Sequence, residues 1–442
     1  MKNRNSRRKF LKNTALSTTA MTLGMSAKSY SRIMGSNDRI NFGVIGMNSR
    51  GGALIDSILE VKNTSISDIC DVDSRVIEKR SGEIQKKSGS KPAGHKDFHS
   101  ILDNQEIDAI AIATPDHWHA IMAIMGAKAG KHVYVEKPCC HNPHEGEVLL
   151  AVQKKYDKVI QMGNQQRSGA ASIQAIKEIR DGLIGDVYFG KAWYSNNRDS
   201  IGQGKEVPVP EWLDWELWQG PAPRRTFKDN YVHYNWHWFW NWGTGEINNN
   251  GTHELDICRW ALGVDYPVKV ASSGGRYAYN DDWEFYDTQV ANYEFEGGKM
   301  ITWEGKSCNN HQYFDRGRGV TIHGTKGTIM MDRQGYFAYD QSGKVIKEMK
   351  EVADSGTMDL VGGGGLTTMH MLNFCNGIKM GEELAAPVHD GYISNLMPHL
   401  GNIAQKCGRS LDINPLNGHI LGDDEAMTMW SRDYEYGWEP TV

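Results

Sequence analysis

Apolar, β-branched runs alternate with polar-faced helical stretches along the first part of the chain. Residues 39–45 read as a strand, 53–59 as a helix, 65–70 as a second strand and 74–87 as a polar helical segment. Residues 108–113 form a third buried run, 120–129 a helix stopped by Gly130, and 133–135 a fourth strand. A helix over 143–156, a short strand over 159–162 and a helix over 173–180 follow. Continuous apolar strands separated by helices predict a parallel, right-handed, doubly wound sheet. After Gly185 the texture changes: residues 187–194 alternate apolar and polar. Gly-bearing connections at 295–299, 332–336 and 340–344 then separate alternating runs, which marks antiparallel hairpins. The fold class is α/β, with an α+β C-terminal domain on an open, mainly antiparallel sheet. The boundaries are 1–38, 39–165 and 166–442. The run 362–365 is a glycine loop, and a helix near 392–406 and a tail rich in Trp and Tyr are expected to pack back on the second sheet.

The 442 residues are 39% hydrophobic and 23% charged, ordinary for a globular protein of two or three domains. A formal net charge of −5 offers no basic footprint for nucleic acid. Ser6-Arg7-Arg8-Lys9-Phe10-Leu11-Lys12 is a twin-arginine pattern, followed by a weakly apolar stretch over 15–25 and a small-residue cleavage candidate, Met25-Ser26-Ala27. That stretch is too short and polar to span a membrane, so the expectation is a periplasmic protein with no membrane span. Seven cysteines with no C-x-x-C indicate neither a disulfide framework nor a zinc site, and the thiols are expected to be buried.

The first strand runs into Gly46-Met47-Asn48-Ser49-Arg50-Gly51-Gly52, the strand–turn–helix context of a dinucleotide fingerprint, with Asn48 in place of the middle glycine. Asp71 ends the next strand, twenty residues after Gly51. A carboxylate there binds ribose hydroxyls and favours NAD over NADP, or else caps the following helix. Arg75, one turn on, would soften the exclusion of a 2′-phosphate. Thr114-Pro115-Asp116 closes the third strand, followed by His117 and His119, which read as contacts to cofactor or loop and not as metal ligands. Glu136-Lys137-Pro138 closes the fourth, placing an ammonium at a strand's carboxyl end, where α/β sheets bind ligands. Asn249 and His253 lie four apart at a helix start, and histidine is the natural base for a hydroxyl proton. The block 231–242, with Trp236, His237, Trp238, Trp240 and Trp242, either offers indole faces to a sugar or fills a domain interface. Arg167, Trp193 and Tyr194 are further pocket candidates.

Together these residues resemble the glucose–fructose oxidoreductase, inositol dehydrogenase and MocA (Gfo/Idh/MocA) family: Gly46 to Gly51, Thr114-Pro115-Asp116 with His119, Glu136-Lys137-Pro138, and Asn249 with His253. The resemblance implies an NAD-binding Rossmann domain over 39–165, a substrate and oligomerisation domain over 166–442, and a homodimer or homotetramer through the C-terminal sheet. It implies that Lys137 is the catalytic lysine and His253 the acid/base. The family often has Asp where this chain has Asn249. The implied activity is hydride transfer between NAD and a secondary hydroxyl of a carbohydrate. The alternative is an NAD-dependent glycosidase that oxidises C3, eliminates, hydrates and reduces back.

Overall fold

The computed structural model describes residues 39–351 and 365–442. The twin-arginine stretch, its cleavage candidate and glycines 362–364 lie outside the described residues. Two sheets carry the molecule. The first is built from β1 (Ile40–Ile45), β2 (Thr64–Cys70), β3 (Ala93–His95), β4 (Ala109–Ile112), β5 (His132–Val135) and β6 (Ile160–Met162). Every pairing is parallel, in the order β3-β2-β1-β4-β5-β6. Its helices are α1 (Arg50–Glu60), α2 (Ser74–Ser88), α3 (His99–Asp103), α4 (Asp116–Lys128) and α5 (Pro143–Tyr156). β4 and the last three residues of β5 are fully buried, because helices cover both faces.

The second sheet follows α6 (Ala170–Arg180) and β7 (Val187–Ser195). A long connection holds α7 (Trp215–Gln219) and leads into α8 (Gly245–Asn249) and α9 (Gly251–Leu262). Then come β8 (Lys269–Gly275), β9 (Thr288–Phe295), β10 (Lys299–Lys306), β11 (Arg318–Gly324), β12 (Gly327–Asp332), β13 (Gly335–Asp340) and β14 (Val345–Lys350). The three expected hairpins join β9 to β10, β12 to β13 and β13 to β14. The order is β14-β13-β12-β11-β7-β10-β9-β8-β15, where β15 is Leu411–Asp412, and only β7 with β10 is parallel. The chain closes with α10 (Gly365–Met380), α11 (Val388–Cys407) and α12 (Asp424–Met427).

Three expectations are corrected here. A single cut near residue 165 does not separate the cores. Met371, Phe374 and Cys375 of α10 complete the core on one face of the first sheet, with Phe374 tilted against Phe42 at 6.3 Å and edge-on to Tyr134 at 5.8 Å. The apolar face that α1 shares, through Leu54, Ile55 and Ile58, is therefore closed by a helix more than 300 residues later in the chain. The C-terminal tail does not return to the second sheet either; Trp438 meets Trp118 of α4 edge-on at 4.9 Å. The tail thereby covers the start of α4, a helix buried nearly all round. Among the cysteines, Cys308 and Cys407 are only half-buried, while the other five are buried.

Candidate active site

The site begins at the carboxyl ends of the first sheet. Gly46 has φ +77°, a left-handed turn a side chain would strain, and its N–H donates to Cys70 O at 2.9 Å. Gly51 lies beneath that turn: a Cβ there would sit 1.8 Å from Gly46 O. α1 can therefore start directly against the turn only with glycine. Arg80 of α2 holds the turn from behind, donating from Nε to Met47 O at 2.9 Å and from Nη2 to Asn48 O at 2.7 Å. Nothing in the local sequence signals this role for Arg80, since the turn carbonyls lie more than thirty residues away. Asp71 accepts from the Met47 and Asp73 N–H groups, at 2.7 and 3.0 Å, and burial pushes its carboxyl above the usual range. The cap of α2 is Asp73, whose side chain accepts from Arg75 N. Arg75 is tied back to Asp73 and lies 3.5 Å over the Trp212 ring.

The glycine turn and the Glu-Lys-Pro turn are joined directly. Arg50 Nε donates to Glu136 Oε1 at 2.7 Å, and Gln165 Nε2 reaches the same oxygen at 3.0 Å. His119 ties the ends of β4 and β5 together, its Nδ1 2.6 Å from Pro138 O and its Nε2 2.8 Å from Thr114 O. His117 does not reach the site; its Nε2 lies 2.9 Å from Trp218 O. Among the described residues no group of His, Cys, Asp and Glu is arranged to hold a metal ion.

Lys137 leaves the tip of β5 and crosses to the second domain. Its Nζ donates to Asn249 O at 2.7 Å and Asn249 Oδ1 at 3.1 Å. Burial lowers its pKa, opposed by Asp116 and Glu136 and assisted by Arg318 and Arg50. α8 ends and α9 restarts one residue later, so the expected single helix start is a break that puts Asn249 and His253 on the same cleft. The His253 ring makes no hydrogen bond among the described residues. Burial, then the cations of Arg333, Arg318, Lys137 and Arg50, hold its pKa well below the ordinary histidine value, so it is a neutral base.

These groups line one cleft of about 880 Å³. It contains Gly46 to Arg50, Asp71, Thr114 to Asp116, His119, Glu136 and Lys137 from the first domain. It also contains Tyr194, Trp236, His237, Asn249, His253 and Arg318 from the second. Among the described residues the His237 ring bonds only at Nδ1, which donates to Tyr234 O at 2.6 Å, and it stacks on Trp236 at 3.6 Å. Burial pushes its pKa well below the usual value, with the Tyr234 carbonyl opposing and Lys137 assisting.

Three pocket candidates are elsewhere. Arg167 is buried beneath α9 in an ion network with Asp256, at 2.7 Å, and Asp390. Trp193 follows strand alternation: Tyr194 faces the cleft, so Trp193 faces away, beneath Tyr313 and Phe314. Trp238 is buried in a stack on Trp283 at 3.9 Å. Of the tryptophan run only Trp236 lines the cleft; Trp242 packs among Trp215, Trp218 and Tyr231.

The cleft suits a dinucleotide. The glycine turn leaves a bare backbone cradle, and Thr114 Oγ1 is buried there without a protein partner. The far end is strapped by the connection after β7. Ser74 N donates to Trp212 O and Asp214 N to Val72 O, both at 3.0 Å, and His233 Nε2 is 3.0 Å from Asp73 Oδ2.

Comparison with known proteins agrees with this geometry. Residues 40–164 match the model of an oxidoreductase family's NAD-binding Rossmann fold, and residues 190–439 match that of its C-terminal alpha/beta domain. A glycosyl hydrolase family 109 protein of Saccharopolyspora erythraea is 27% identical over 182 residues, 40% of this chain and 39% of its own. An alpha-N-acetylgalactosaminidase of Shewanella oneidensis is 26% identical over 190 residues, 41% of each chain. The chain thus spans about two fifths of the length of these curated relatives. The WlbA dehydrogenase of Bordetella pertussis, solved with NADH and UDP-GlcNAcA, superposes with a TM-score of 0.64 at 19% identity, covering 85% of this chain and 99% of the other.

Proposed function

The chain belongs to the Gfo/Idh/MocA oxidoreductase family and carries its NAD-binding Rossmann domain; from that premise we propose that it oxidises or reduces a secondary hydroxyl of a sugar or glycoside. The observation that carries the reading is the meeting of Lys137 and the free His253 ring in the cleft that holds the glycine turn. NAD, when bound, supplies the acceptor or donor of hydride. Gly46 to Gly51, Asp71, Thr114 to Asp116, His119 and Glu136 would hold it. His253, kept neutral, takes the hydroxyl proton. Lys137 donates a hydrogen bond to the same oxygen as charge develops there. Trp236 offers an indole face to the C–H face of the sugar, beside Tyr194 and His237. Arg75 is held by Asp73 and Trp212, and the Asp71 carboxylate lines the same end of the cleft, which supports NAD over NADP. The test is a panel of sugars and glycosides with purified protein, read by NADH absorbance and aglycone release. A sugar that reduces NAD supports the reading; neither signal with any sugar overturns it.

A second reading, an NAD-dependent glycoside hydrolase with no net redox change, has two supports. The curated relatives carry hydrolase names. His237 also leaves Nε2 uncommitted in the same cleft, a second base beside His253. Once a ring hydroxyl has become a ketone, the adjacent C–H is acidic. His237 would take that proton as the C–C double bond forms and the bond to the aglycone breaks. Aglycone release without net NADH favours this reading over the first.

The protein is also proposed to be exported through its twin-arginine pattern, which cell fractionation tests. A homo-oligomer is proposed through the outer face of the second sheet, where Lys191, Trp193, Thr321 and Met330 line an open hollow of about 690 Å³. Light scattering after size exclusion tests it, and a monomer would refute it.

A further inference from the structure

α8 ends one residue before α9, so its last carbonyl lacks a helical partner. Lys137 takes that carbonyl and the Oδ1 of the same residue, Asn249. The other end of this carboxamide, Nδ2, donates to Glu246 Oε1 at 3.2 Å, one helical turn back. Glu246 is only 5% exposed. Its oxygens also take the Arg198 guanidinium, Oε2 at 2.6 Å and Oε1 at 3.3 Å, and the Asn250 amide. An amide set between a carboxylate and an ammonium has one satisfying orientation, with NH2 toward the first and C=O toward the second.

We propose that Glu246 is a positioning residue: through the Asn249 carboxamide it delivers to Lys137 the negative charge that an aspartate at 249 would deliver directly. The inference rests on Lys137 acting at the substrate oxygen, as argued above. Burial raises the Glu246 carboxyl, and Arg198, Asn250 and Ser307 more than reverse it, so the group is ionised. Lys137 itself faces Asp116, Glu136, Arg318 and Arg50, with His119, His237 and His253 around the same cleft. Arg198 is shared by Glu246, Tyr194 and Tyr234. The amide therefore has a purpose that its neutral charge conceals. Asn249→Asp would set two carboxylates at hydrogen-bonding distance, where both cannot ionise freely. Installing the aspartate common in the family should harm this site.

The experiment compares the NAD-loaded wild type with Glu246→Gln, Asn249→Asp and the double variant. Two readouts are taken: the rate of NADH appearance with an accepted sugar, and a nitrogen-15 NMR titration of Lys137 Nζ, assigned by its loss in Lys137→Met. Glu246→Gln is expected to lower the rate about tenfold and the Lys137 midpoint by about half a pH unit. Asn249→Asp is expected to lower the rate at least as much, and the double variant to return within about threefold of wild type. Asn249→Asp as active as wild type, a double variant no better than the singles, or an unmoved Lys137 midpoint in Glu246→Gln would each overturn the proposal. If Glu246→Gln does not fold, Asn249→Ala cuts the relay without touching Arg198 and must lower the midpoint equally. If the wild type makes NADH with no sugar, the functional reading falls, while the titration still decides whether Glu246 acts on Lys137.

Discussion

The two walls of the cleft are built differently. The first-domain wall is four strand ends, and each contributes a short contiguous run: 46–50, 70–72, 114–116 and 136–137. Parallel strands in register bring those runs side by side, and Arg50–Glu136 and His119 then lock neighbouring runs together. The second-domain wall draws on β7, the long connection after it, both helices at the Asn250 break, and β11. Its polar groups come in pairs from distant segments: Arg198 with Glu246, and Arg318 with Glu254 at 2.7 Å. The first wall is a generic seat for a dinucleotide. The second is particular to this chain, and selectivity for the substrate should reside there.

The largest effect that would break this contrast is at the point where the walls touch. Lys137→Ala should cut NAD reduction by about a thousandfold with NAD affinity retained, because a donor to the developing charge is removed. Near-normal turnover in that variant would separate the walls functionally. Next, Gly51→Val drives a side chain into Gly46 O and should weaken NAD about a hundredfold by calorimetry. The second wall should respond in KM: Trp236→Ala is expected to raise it about tenfold without loss of NAD. If Trp238→Phe does the same, the assignment of Trp236 to the cleft and Trp238 to the interior is wrong.

Acid should sharpen the comparison through buried histidines within and behind both walls. Burial pushes His370 and His399 down to about 4, and holds His117, His141, His237 and His253 well below the ordinary value. An unfolded histidine titrates near 6.5, so below that pH the unfolded chain binds protons that the folded chain refuses. Stability is therefore complete above about pH 6.5 and is lost between there and about pH 4. The melting temperature should drop by roughly 5 °C or more from pH 7 to pH 5, by scanning calorimetry. A melting temperature that rises over this range would refute the neutral histidines. The smallest effect is expected at Trp193, on the other face of β7: Trp193→Phe should change kcat/KM by less than about twofold.

Much of the first wall was legible because its information is local. The Gly46 turn, Asp71 and Lys137 each sit at the end of an apolar run, and a parallel sheet leaves few places for them to go. Even there the restraint by Arg80 was hidden, since its bonds to Met47 and Asn48 depend on how α2 lies against α1. The second wall is less legible, because its residues come from distant segments. Alternation along 187–194 located a strand, and opposite pointing of Trp193 and Tyr194 followed from it, but which face met the cofactor did not. The regular spacing of tryptophans over 236–242 resembled a surface stripe. The chain there makes one 3₁₀ turn and a loop, so most of the indoles fill the interior.

By itself the sequence determined the alternation of strands and helices, the glycine turn, and the presence of an ammonium and an imidazole at element ends. These follow from backbone sterics and periodicity within a few residues. Tertiary structure alone decided that α10 closes the first core, that Arg167 is spent on Asp256 and Asp390, and that Asn249 stands between Glu246 and Lys137. The first depends on which apolar faces meet across the fold, and the other two on which buried charges and amides find partners there. A buried charge must be paired or solvated, but spacing along the chain does not say by which residue.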